Sequence, residues 1–185
     1  MPTTTVLTKR LADIAQSIQA SGKALALLGL GSAGIENTRL DKYSDLDFFV
    51  IAKPGFKEYF LDCELSWLQH HSRGAYWYRN TIDGYKFLFK DGVFCEFAIF
   101  IPEELAPIPF AEGRVIWADP VFNLSVLTPK SLHGRYQQST NIEWLLGEAL
   151  TCLYSGMSRN NRGEKLSAMR LIQTQALDRL LDLFR

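Results

Sequence analysis

The chain has 185 residues, 20 basic and 20 acidic side chains and a formal charge of zero. With 47% hydrophobic and 12% aromatic residues it can bury a sizeable core in one domain, or in one domain with a small appendage. There is no basic stripe of the kind that binds nucleic acid, no apolar run near the ~20 residues that cross a membrane, and no signal-peptide pattern in MPTTTVLTKR. The three cysteines, Cys63, Cys95 and Cys152, are widely spaced in apolar contexts. They read as reduced core residues rather than a disulfide or zinc framework, and the expectation is a cytoplasmic protein.

In chain order, Leu7, Leu11, Ile14, Ala15 and Ile18 recur at helical spacing, so a helix is predicted from Thr5 to Ser21, closed by Gly22. An apolar run from Ala24 to Leu30 then reads as a buried strand that ends in a tight Gly31-Ser32 step. Gly31-Ser32-Ala33-Gly34 has almost no side-chain bulk, so backbone can approach a ligand there. If a helix begins at this step, its free N–H groups and the Ser32 hydroxyl face an anion. A second strand, Leu46 to Ile51, has Asp45 and Asp47 at its mouth and is closed by Pro54-Gly55. Alternation along a strand sends both carboxylates one way and Leu46 and Phe48 the other. Two such charges at ~4 Å in an effective dielectric of about 20 repel by ~4 kcal/mol. A divalent cation or a raised pKa would relieve that repulsion.

Phe56 to His71 is predicted as one amphipathic helix, with His70 and His71 interacting with its C-terminal dipole. Ala75 to Thr81, Tyr85 to Lys90 and Val93 to Ile101 read as strands, the last two joined by an Asp91-Gly92 hairpin turn. In the last strand Val93, Cys95, Phe97, Ile99 and Ile101 form one face, while Glu96 is the only polar group on the other, with Phe94, Ala98 and Phe100. A carboxylate there needs a cation, a hydrogen-bond network or a place at the rim facing water. Arg114 to Trp117 reads as a short edge strand, and Asp62, Asp83, Asp91 and Asp119 as structural turn or surface residues.

From Pro129 the pattern becomes helical. Asn141 caps a helix expected to end at Ser155-Gly156, and a second runs from about Arg162 to Phe184 with Leu166, Met169, Ile172, Ala176, Leu177, Leu180, Leu181 and Phe184 on one broad face. The pair must pack on the sheet, on each other, or on a second subunit as in a homodimer. The expected division is a domain over 1–127 and a helical segment over 128–185.

Leu30, Gly31 and Ser32, a gap of about a dozen residues, then Asp45, Leu46, Asp47 and Phe48 resemble the signature of the nucleotidyltransferase superfamily that includes DNA polymerase beta. In flavour the chain is similar to small bacterial enzymes that adenylylate aminoglycoside or lincosamide antibiotics and confer resistance to them. The resemblance implies an α/β (α+β) fold, a mixed β-sheet nucleotidyltransferase core flanked by helices with a short C-terminal helical segment. It further implies Mg2+ held by Asp45, Asp47 and a third acid, for which Glu96 stands in the right place, and ATP or another NTP against Gly31 and Ser32. Lys165 and Arg162, with Arg159, would meet the triphosphate, and Glu143 or Glu148 could act as base for the acceptor. Two rival readings share the fold: a catalytically silent protein that binds nucleotide or a partner, and an enzyme that adenylylates a protein or tRNA. The Gly-rich turn is not G-x-G-x-x-G, lacks the lysine of a P-loop, and gives Ser32 no G-x-S-x-G setting.

Overall fold

Thr3 opens the chain's first helix, α1 (Thr4–Ser21), by accepting a hydrogen bond from the Val6 N–H, and Gly22 closes it in the left-handed conformation at φ 65°. Its inner face, Leu7, Leu11, Ile14 and Ile18, is buried. The computed structural model describes residues 2–129 and 141–183. Contacts divide the chain into two units, Met1–Trp77 with Thr81–Arg135, and Tyr78–Asn80 with Tyr136–Arg185.

The strands β1 (Ala24–Leu30), β2 (Leu46–Ala52), β3 (Gly74–Thr81), β4 (Gly84–Phe89), β5 (Phe94–Phe100) and β6 (Arg114–Ala118) form a mixed sheet in the order β3-β4-β5-β2-β1-β6. β1 is antiparallel to both β2 and β6, and β4 is antiparallel to β5, while β2 and β5 run parallel. One face carries Leu27, Leu46, Phe48, Val50, Phe87, Cys95, Phe97 and Ile99, buried in one cluster with α1 and the short helices α2 (Lys57–Phe60) and α3 (Ser66–Gln69). Within it Phe48 stacks on Phe97, and Trp67 meets Phe97 edge-on. Burying a side chain of Phe48's size contributes about 1.5–3 kcal/mol. On the opposite face Ala26, Leu28, Ile51 and Phe100 pack with Leu105, Phe110 and Leu127 from the chain between and after β5 and β6.

The single helix expected over Phe56 to His71 is two one-turn pieces. Leu65, wholly buried, sits between them at φ 47°, the one non-glycine residue at positive φ among those described. The side chain of Asp62 accepts the Glu64 N–H, and the Trp67 indole donates to the Phe60 carbonyl, so local bonds replace the helical ladder. This break leaves Cys63 exposed, against the expectation of a core cysteine, whereas Cys95 and Cys152 are buried.

In the second unit Asn141 caps α4 (Ile142–Arg162) by accepting the Trp144 N–H. The expected break at Ser155-Gly156 does not occur, and the helix runs on to Gly163. A Cβ on Gly156 would lie 2.5 Å from Ile172 Cγ1, so the glycine serves close helix packing rather than termination. The second helix begins at Lys165 and comprises α5 (Lys165–Met169), a π-helical stretch (Arg170–Ala176) and α6 (Leu177–Asp182). Its expected broad apolar face is not fully buried: Ala168 and Ala176 are inside, while Leu166, Met169 and Leu177 are exposed. Phe184 lies outside the described residues.

Candidate functional site

The sheet's second face changes character at one end. Asp47 on β2 is the register partner of Glu96 on β5 across the parallel pair, so their side chains share that face. Across the next strand Glu96 partners Lys86 of β4, and on the other side Asp47 partners Leu30, the last residue of β1. Lys86, Glu96 and Asp47 therefore form one row over three adjacent strands, with the Gly31-Ser32 corner beside it. A Cβ on Gly31, whose φ is 50°, would lie 3.3 Å from Asp47 Oδ2, so glycine meets both the backbone conformation and the closeness of the carboxylate.

Asp45 stands immediately before β2 and is placed by the turn ahead of it. The Asp41 carboxylate accepts the Tyr43 N–H at 2.8 Å, and the buried Ser44 hydroxyl accepts the Asp41 N–H at 2.9 Å. Ser32 donates its hydroxyl to the Asp45 carbonyl at 3.4 Å, which ties the glycine corner to the head of β2. Sequence reasoning aimed that hydroxyl at an anion; in the structure it is engaged with backbone. Nor does a helix begin at Gly31: Gly31–Ala33 is a single 3-10 turn. Arg114 of β6 holds this turn, donating from Nε to the Gly34 carbonyl at 3.2 Å and from Nη2 to the Ala33 carbonyl at 3.1 Å.

Asp45 and Asp47 are half-buried and Glu96 is exposed. Burial pushes the Cys95 thiol well up from its ordinary value; the Arg10 guanidinium opposes this, and the charges of Asp47 and Asp45 add to it. Among the described residues no group of three or more His, Cys, Asp or Glu side chains is arranged to hold a metal ion. In kind, the carboxylates of Asp47 and Glu96 form a donor set that a hard divalent cation takes. It consists of carboxylate oxygens on one sheet face, reached by solvent, beside a corner where a Cβ would crowd Asp47. In this structure Glu96 Oε2 lies 3.9 Å from Lys86 Nζ instead.

The other expected site residues lie in the second unit, in local bonds. Arg159 and Arg162 pair with Glu164 at 2.9 and 3.2 Å, and Lys165 donates to the carbonyl and side chain of Asn160. Burial alone would raise the Glu164 carboxyl, but Arg162 and Arg159 outweigh it and hold it below its ordinary value. Glu148 accepts the Tyr78 hydroxyl proton at 2.7 Å, and Glu143 is exposed in the first turn of α4.

Lys86 and Arg114 were missed as site residues. The sequence held a signal for Lys86: it and Glu96 are equidistant from Asp91 in the hairpin turn, so an antiparallel hairpin centred there pairs them. Arg114 carried no such signal, because β6 reaches β1 only through the long connection after β5.

No family model matches the chain, and no curated protein matches it in sequence. Among solved structures it is similar to an aminoglycoside 6-adenyltransferase from Bacillus subtilis, with 13% identity, 94% of this chain covered and a TM-score of 0.39. This chain spans 64% of that structure's length. At this TM-score the likeness is faint, and the site's chemistry is taken from its own residues.

Proposed function

We propose that the chain is a nucleotidyltransferase that moves a nucleoside monophosphate, AMP from ATP, onto a hydroxyl of a small acceptor of the aminoglycoside or lincosamide kind. The observation that carries this reading is the register pairing of Asp47 with Glu96, on one face and beside Gly31. It supports the three-acid pattern that the sequence signature implies. Asp45, Asp47 and Glu96 would hold Mg2+, which when bound neutralises phosphate charge and favours ionisation of an attacking hydroxyl.

The chain's own residues bind and orient. Gly31 leaves the corner open for a phosphate, and Ser32 keeps that corner fixed to the strand bearing the acids. The acceptor oxygen attacks the α-phosphorus, a new P–O bond forms, and the bond to pyrophosphate breaks. The hydroxyl proton passes to one of the carboxylates. Most of the rate gain expected here comes from alignment and charge stabilisation. The proposal draws on the sheet unit alone; Lys165 and Arg162 are held in the helix cap described above.

The test is transfer of labelled AMP from ATP to a panel of aminoglycosides, lincosamides and proteins, with Asp47→Asn as control. Labelling of a small acceptor above that control is the expected result. Activity that never exceeds the control favours the silent binding protein, and labelling confined to proteins moves the acceptor class to a macromolecule.

A further inference from the structure

Lys86 has no part in the transfer just described, yet it stands in the same row. Its side chain is 11% exposed against 47% for Glu96, and the two are register partners on antiparallel strands with Nζ 3.9 Å from Oε2. Little of that lysine side chain reaches solvent, and its ammonium lies toward the Glu96 carboxylate. Opposite charges facing each other across a strand pair also stabilise the register that brings Glu96 level with Asp47. The row thus reads ammonium, carboxylate, carboxylate over three neighbouring strands, so one cation already faces the acid expected to complete the ion site.

Resting on the transferase reading, we infer that Lys86 is a built-in counter-cation of the carboxylate row, holding Glu96 when no divalent ion is bound and competing with that ion for the same carboxylate. Two cations drawn to one carboxylate repel each other, and most strongly where side chains exclude water. Lys86 therefore weakens divalent binding while keeping the empty row from repelling itself apart. It is a positioning residue: it acts through Glu96 and touches no reacting atom.

The experiment titrates metal-free protein with Mn2+ and reads free ion by electron paramagnetic resonance, with no nucleotide present. Lys86→Met keeps the apolar stem and removes the charge; it should bind Mn2+ about tenfold more tightly than the wild type. Lys86→Arg keeps the charge and should bind within about twofold of the wild type. In a Glu96→Gln background the gain from Lys86→Met should shrink to about twofold or less, which a merely structural role would not produce. Should Lys86→Met fail to fold, Lys86→Gln supplies the same comparison. Unchanged or weaker Mn2+ binding by the neutral variants, alongside wild-type binding that Asp47→Asn abolishes, overturns the inference alone. Wild-type protein with no Mn2+ binding sensitive to Asp47→Asn overturns the transferase reading, and this inference with it.

Discussion

The two faces of the central sheet are made by the same strands and do opposite things. Leu46, Phe48 and Val50 of β2 point into a continuous apolar cluster under α1, while Asp47 and Phe49 between them point the other way. The second face is apolar over part of its area, where Phe49 packs edge-on against Phe100 and Phe110, and charged at the end where Asp47, Glu96 and Lys86 line up. A period of two along the backbone is enough to separate an apolar scaffold from a charged surface, with adjacent residues assigned to each.

That contrast is sharpest between neighbours. Phe48→Ala removes a fully buried ring stacked on Phe97, and should cost about 3–5 kcal/mol in urea unfolding. Asp47→Asn, one position away, should leave the melting temperature within about 4 °C of the wild type. It should lower AMP transfer by on the order of 10²–10³-fold in the labelling assay. Equal losses of stability from both variants would break the division between the faces.

Smaller effects refine it. Arg114→Met removes two hydrogen bonds to the Ala33 and Gly34 carbonyls. It should cost about 1–2 kcal/mol in stability and weaken binding of a non-hydrolysable ATP analogue several-fold by calorimetry, because the corner beside Asp47 loosens. Smallest is the ion-pair group at the margin of the sheet, where Lys57 meets both Asp83 and Glu104 at 2.7 Å. Burial alone would raise the Glu104 carboxyl and lower the Lys57 ammonium; Asp83 and then Glu104 outweigh it at Lys57 and hold the ammonium up, while Lys57 and the Ile101 N–H outweigh it at Glu104 and hold the carboxyl down. A carboxyl held below its unfolded value adds stability that is present above that value and is lost as pH falls through the folded one. Glu104→Gln should therefore cost under about 1 kcal/mol at pH 7, since the pair is partly exposed. The difference from wild type should vanish on acidification below the folded pKa of Glu104, as followed by thermal melts across pH.

Sequence alone made the alternation legible, and with it the placing of Glu96 and Asp47 on polar sides of otherwise apolar strands. The caps Gly22 and Asn141 were equally readable, because each satisfies a local backbone requirement. What escaped is decided by tertiary contacts. The break at Leu65 depends on a tryptophan reaching back to Phe60, and Gly156 looked like a helix end but is a packing notch for Ile172. The Ser32 hydroxyl was read as facing an anion, and its backbone partner, the Asp45 carbonyl, lies thirteen residues on, just ahead of β2.

The parallel ladder between β2 and β5 has a consequence for how this protein can change. Asp47 and Glu96 meet through alignment of two strands that are distant in the chain, with α2, α3, β3 and β4 looped out between them. Changes of length in the loops of that excursion can leave the pair intact so long as the two strands still zip in the same phase. A shift of a single residue in either strand would turn its acid toward the oily interior and extinguish the pair.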